Sequence, residues 1–93
     1  MRAIERTTLF RRDYKRGAKG QHRKDLDRRL QAVLVLLVTD TPLPAANRDH
    51  ELAGAMAGYR ECHLWPDLLL VDEKPDAATL RLVRLGSHAE LFG

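Results

Sequence analysis

Residues 59–85 read YRECHLWPDLLLVDEKPDAATLRLVRL, and their rhythm is that of a sheet. Three short runs rich in apolar residues, 59–64, 68–74 and 79–85, are parted by Trp65-Pro66-Asp67 and by Pro75-Asp76-Ala77-Ala78. Runs of this length bounded by proline and aspartate are strand signals, and the short gaps between them demand an antiparallel meander. Side chains alternate along a strand, so His63 shares a face with Glu61 and Tyr59 while Cys62 and Leu64 face the other way. Adjacency therefore does not make Cys62 and His63 a catalytic pair. A two-residue turn at Trp65-Pro66 would set His63 opposite Leu68. A longer turn or a bulge would bring His63 beside Asp67, and this second arrangement is the expected one.

Upstream of this region the period changes. Leu26, Leu30, Val33, Leu34, Leu37 and Val38 recur at spacings of three and four, which predicts a helix over 24–38 with one buried stripe. Ala32, Val35 and Leu36 widen the stripe and predict that the carboxyl half is covered on more than one side. Pro42 and Pro44 follow its end. A shorter helix is predicted from about Leu9, capped by Thr7 or Thr8 and ending between Gly17 and Gly20, with Phe10 and Tyr14 on one face. Residues 2–7 read as a first strand and 45–58 as an irregular connection. The order β-α-α-β-β-β predicts one α+β domain over 1–93, with both helices on one face of a small antiparallel sheet.

Composition narrows the function classes. The chain has 93 residues, of which 44% are hydrophobic and 31% charged. That supports a single core with a site near the surface. No apolar run approaches a membrane span, no secretory leader is evident, and the single cysteine forms no internal disulfide; a cytoplasmic protein is expected. The net charge is +3, yet Arg6, Arg11, Arg12, Lys15, Arg16, Lys19, Arg23, Lys24, Arg28 and Arg29 crowd the first third. Such a surface favours a polyanion or an acidic protein partner.

His50, His63 and His88 fall at a loop or a strand end, where one edge of a meander can gather them with Asp67. Histidine suits proton transfer near neutral pH. His22 lies in the basic turn and is read as structural. Zinc ligation by the same residues has little support, since no pair has the close spacing of a metal motif. Trp65 beside a proline is expected to pack over the hairpin.

Five segments then carry a resemblance: FRRDYKR at 10–16, RDHEL at 48–52, GYRECH at 58–63, PDLLL at 66–70 and LVRLGSHAELF at 82–92. In this order they resemble the YafQ-type branch of the RelE superfamily of bacterial toxins, over nearly the whole chain. The resemblance implies a microbial ribonuclease-like fold and a ribosome-dependent endoribonuclease that cuts messenger RNA in the A site of the small subunit. It implies silencing by a cognate antitoxin, with operator DNA bound only indirectly through that antitoxin. His50, His63, Asp67 and His88 match the family's catalytic set, and Phe92 matches its carboxyl-terminal aromatic, a candidate for stacking on RNA.

The chemistry expected is attack of an RNA 2′-hydroxyl on its own phosphate, with the histidines and Asp67 sharing the acid and base roles and no metal or other cofactor required. Arg60, Arg81 and Arg84 are candidates for phosphate contact. The chain departs from the family pattern at Asp72-Glu73, which stands where relatives usually carry an aromatic. Asp72 facing inward would be costly to bury, and facing the RNA it would repel phosphate. A catalytically attenuated member that binds antitoxin or ribosome without efficient cleavage is the alternative this raises.

Overall fold

The computed structural model describes residues 1–93. The chain forms β1 (Ala3–Arg6), α1 (Thr8–Gly17), α2 (Leu26–Val38), β2 (His50–Glu51), β3 (Arg60–Trp65), β4 (Leu68–Glu73), β5 (Thr79–Gly86) and α3 (His88–Phe92). Thr7 caps α1: its hydroxyl accepts from the Phe10 N–H at 3.0 Å and donates to the Val83 carbonyl at 2.8 Å. The same residue thereby starts the helix and ties it to β5.

The predicted α+β class and the meander β3-β4-β5 are observed. The sheet itself differs from expectation: it has five strands in the order β1-β5-β4-β3-β2 and is mixed, because β1 runs parallel to β5 while the other pairs are antiparallel. Tight turns enforce antiparallel direction only between the strands they join. No turn joins β1 to β5, so turn lengths carried no information about that pair.

The core lies between one sheet face and the two long helices. Phe10 of α1 and Leu26, Leu30, Val33, Leu34, Leu37 and Val38 of α2 pack against Cys62, Leu64, Leu70, Leu80, Leu82 and Leu85. The predicted stripe of α2 is the buried one, whereas the expected second cover is missing: Val35 is 50% exposed. Leu69 and Val71 alternate with Leu70 and so belong to the opposite face, the one that also carries His63.

Asp72 shares the face of Leu70 and lies opposite Leu82 and Arg60 in the ladder. It is fully buried, and neither carboxylate oxygen has a hydrogen-bond partner. Arg60, its cross-strand neighbour, gives its guanidinium to Asp49 instead. Burial, reinforced by the charge of Asp49, pushes the Asp72 carboxyl up to about 7. Of the two orientations open at the outset, the structure has the inward one, so Asp72 bears on stability and does not face the open side of the sheet.

Candidate active site

The β3–β4 hairpin carries a bulge between His63 and Trp65, with His63 opposite Leu69 and Trp65 opposite Leu68 across a Pro66-Asp67 turn. Beyond Glu61, β3 has no outer neighbour, and two side chains satisfy its free carbonyls: Asn47 donates to His63 O and Arg29 to Leu64 O, each at 2.8 Å. Trp65 packs against the core, as expected, with Arg29 4.6 Å above its ring and His22 stacked on it at 4.0 Å.

The expected bulge is present, but Asp67 does not bond His63. Its carboxylate accepts from Gln21 and lies 2.9 Å from His22 Nε2. The hydrogen bond from His22, joined by its charge, holds the Asp67 carboxyl below the usual carboxylate range.

His50 lies directly opposite Glu61 in the β2–β3 pair, and Glu61 and His63 alternate with core-facing Cys62. His50, Glu61 and His63 therefore stand in a row on the sheet face turned away from the helices. His50 Nδ1 is 2.7 Å from the Arg48 carbonyl, which can only accept, so Nδ1 carries hydrogen and Nε2 is left to face Glu61 Oε2 at 3.2 Å. Glu61 is 4% exposed, and its Oε1 has no partner. His63 and the exposed cation Arg48 share a depression of about 370 Å³ with Arg29 and Trp65. Cys62 faces the core, and burial raises its thiol pKa, which makes it an inert neighbour.

The third side of the site comes from β5. Leu69 lies opposite both His63 and Gly86, so across the sheet His63 and Gly86 are about 10 Å apart at the usual strand spacing. A Cβ on Gly86 would come within 2.9 Å of the Arg16 guanidinium, 3.0 Å of Glu90 Oε1 and 3.1 Å of Leu91 Cδ2, so the bare backbone lets α3 fold back against α1. A capping box starts α3: Ser87 accepts from the Glu90 N–H at 3.1 Å, and Glu90 accepts from the Ser87 N–H at 2.7 Å. His88 is exposed on the first turn, its ring 5.1 Å from that of Phe92. Spacing of four residues puts the two rings on one helix face.

A cleft of about 350 Å³ runs from the hairpin tip to this helix, lined among others by Asp67, His22, Arg16, Ser87 and Glu90. No hydrogen bond joins any two of His50, His63, Asp67 and His88. No three histidines, cysteines or carboxylates are placed to hold a metal ion.

Arg60, Arg81 and Arg84 are all engaged within the chain. Arg60 donates to Asp49 at 3.3 and 3.2 Å. Arg81 bonds Glu5 at 3.0 Å and Glu73, about 16 Å along β5 from Gly86 by strand rise. Arg84 forks buried Asp13 at 2.7 and 3.2 Å. Burial alone would raise the Asp13 carboxyl, but Arg84 and the Leu85 N–H outweigh it and its pKa is lowered. By contrast Arg11, Arg12, Lys15, Lys19, Lys24 and Arg48 make no ion pair.

Comparison with known proteins agrees with this architecture. The family described as "Bacterial toxin of type II toxin-antitoxin system, YafQ" matches residues 2–93. The mRNA interferase toxin YafQ of Escherichia coli K12 is 40% identical over 93 residues, covering 99% of this chain and 97% of the relative. The crystal structure of the E. coli DinJ–YafQ complex superposes with a TM-score of 0.81 at 34% identity, covering all of both chains. A metal-bound toxin from Helicobacter pylori gives a TM-score of 0.83 at 42% identity, covering 99% of this chain and 100% of that one.

Proposed function

We infer the function from family membership: the chain belongs to the YafQ family of toxins of type II toxin–antitoxin systems, and its activity is that of an mRNA interferase, an endoribonuclease. We further propose that it cuts messenger in the ribosomal A site with its own side chains as acid and base. The observation that carries this reading is the placement of His50, Glu61 and His63 on one sheet face, together with a cleft that Asp67 of the hairpin tip lines with Ser87 and Glu90 at the start of α3.

In the proposed reaction a base takes the proton of the RNA 2′-hydroxyl, whose oxygen attacks the adjacent phosphorus. The P–O5′ bond breaks as the P–O2′ bond forms, and an acid protonates the departing 5′-oxygen. The products are a 2′,3′-cyclic phosphate and a 5′-hydroxyl. His50, His63 and His88 supply the proton transfers, and Asp67 assists as an ionised carboxylate. Phe92, paired with His88, offers a stacking face to a base. Arg48 and the free cations of α1 and its following turn are better placed to meet phosphate than Arg60, Arg81 and Arg84, which would first have to release carboxylates. A metal-bound relative exists, whereas no three candidate ligands converge in this chain, and the proposed steps draw on side chains alone.

An open site with few base-reading groups borrows its specificity from the messenger held on the ribosome. The partner that silences it is an antitoxin, as DinJ accompanies the E. coli protein. The groove between α1 and α2, floored by Phe10, Tyr14, Leu30 and Leu34 and rimmed by Arg6, Arg11 and Lys15, suits an acidic amphipathic segment of that antitoxin. Operator DNA is then bound through the antitoxin. No helix of the chain is long and apolar enough to cross a membrane.

The reading is tested by incubating a defined messenger with the purified chain, with and without programmed ribosomes. Cleavage only on ribosomes is expected, weakening steeply with salt as phosphate contacts are lost. Equal cleavage of free RNA would overturn the ribosome-dependent reading.

A further inference from the structure

His22 stands outside the acid–base set, yet two contacts tie it to the site. Its Nε2 lies 2.9 Å from Asp67 Oδ1, and its ring stacks on Trp65 with 4.0 Å between centroids and 11° between planes. Gln21, its neighbour in the turn after α1, bonds the other Asp67 oxygen. A carboxylate only accepts, so Nε2 carries hydrogen in this contact. The stack sets the ring plane, and Trp65 is itself backed by Arg29, whose second contact is the carbonyl of the β3 bulge. Asp67 sits at a half-exposed hairpin tip.

We propose that His22 is a positioning residue for RNA cleavage: stacked on Trp65, it fixes the Asp67 carboxylate at the hairpin end of the cleft that leads to α3. The role rests on the RNA-cleaving reading, but the Trp65–His22–Asp67 unit can be seen without it. The other charges facing the cleft are Asp13 and Arg16 of α1 and Glu90 of α3, and these pair among themselves: Arg16 reaches Asp13 at 3.2 Å and Glu90 at 3.1 Å. His22 and Gln21 are thus the side chains that hold Asp67.

The test compares the native chain with His22→Ala, His22→Gln, Asp67→Asn and the double variant His22→Ala/Asp67→Asn, reading single-turnover cleavage on programmed ribosomes against pH. His22→Ala is expected to slow cleavage by about tenfold, the usual order for a lost hydrogen bond to a charged group. It should also move the acid limb of the profile to higher pH, because Asp67 loses the donor that keeps its pKa down. His22→Gln, whose amide can still donate, restores most of the rate. The double variant is no slower than Asp67→Asn. An unchanged rate and profile in His22→Ala, or losses that multiply in the double variant, would overturn the role.

Trp65 is the chain's single tryptophan, so its emission reads the stack directly. Emission is expected to differ between the native chain and His22→Ala or His22→Gln, each of which removes the stacked ring. Emission unchanged by both substitutions would show that the unit does not form and overturn the inference. If emission responds but the native chain cuts no RNA, the contact stands, and the RNA-cleaving reading falls together with the role built on it.

Discussion

His63→Ala and His88→Ala are each expected to lower single-turnover cleavage by about 10²- to 10⁴-fold, the span for loss of a positioned general acid or base. The two residues come from different elements: His63 from β3 beside its bulge, and His88 from the first turn of α3. His88 is exposed and His63 only half-buried, so neither substitution removes core packing, and the far-ultraviolet circular dichroism should not change. Because both serve one reaction, the double variant should be little slower than the slower single variant. A double variant that still cleaves at the native rate would remove the histidines from the mechanism.

Asp72→Asn is expected to stabilise the fold by about 1–3 kcal/mol at pH 8, against a usual total of about 5–15. The folded-state pKa of Asp72 is raised from 3.8 to about 7. Between those values the folded state binds a proton that the unfolded state does not, so stability falls as pH rises from about 4 to 7 and then levels off. At about 1.36 kcal/mol per pKa unit the ionised form costs roughly 4 kcal/mol, of which asparagine recovers only part because its amide also lacks partners. The gain should vanish near pH 4. Urea unfolding at pH 4, 6 and 8 would check it, and a gain independent of pH would be contrary evidence. The orientation of Asp72 also removes one ground for an attenuated toxin, since a carboxylate buried on the helix-facing side of β4 would not contact an RNA placed on the opposite face.

Where one element's own pattern specified the outcome, the sequence could be read. The stripe of α2, the meander and the alternation that turns His63 away from Cys62 all depend on near neighbours and on period. α3 was equally legible, since Ser87-x-x-Glu90 is the capping-box spacing, but its brevity at the chain end hid it. The parallel β1–β5 pairing depends on no turn. Likewise His22 meets Asp67 across a separation of 45 residues, and only the packing of the turn after α1 against the hairpin tip brings them together. The arginines show the same limit: their number was plain from the sequence, but which of them Asp13, Asp49, Glu5 and Glu73 would occupy follows from strand register and helix docking.

The ends of the cut RNA bear on the chemistry itself. When the purified chain cleaves a messenger of known sequence on programmed ribosomes, the upstream fragment should end in a 2′,3′-cyclic phosphate and the downstream fragment begin with a 5′-hydroxyl. Those ends follow from attack by the neighbouring 2′-oxygen with side chains moving the protons. A 3′-hydroxyl facing a 5′-phosphate would mean that water attacked instead, and would contradict the mechanism built on His50, His63, Asp67 and His88.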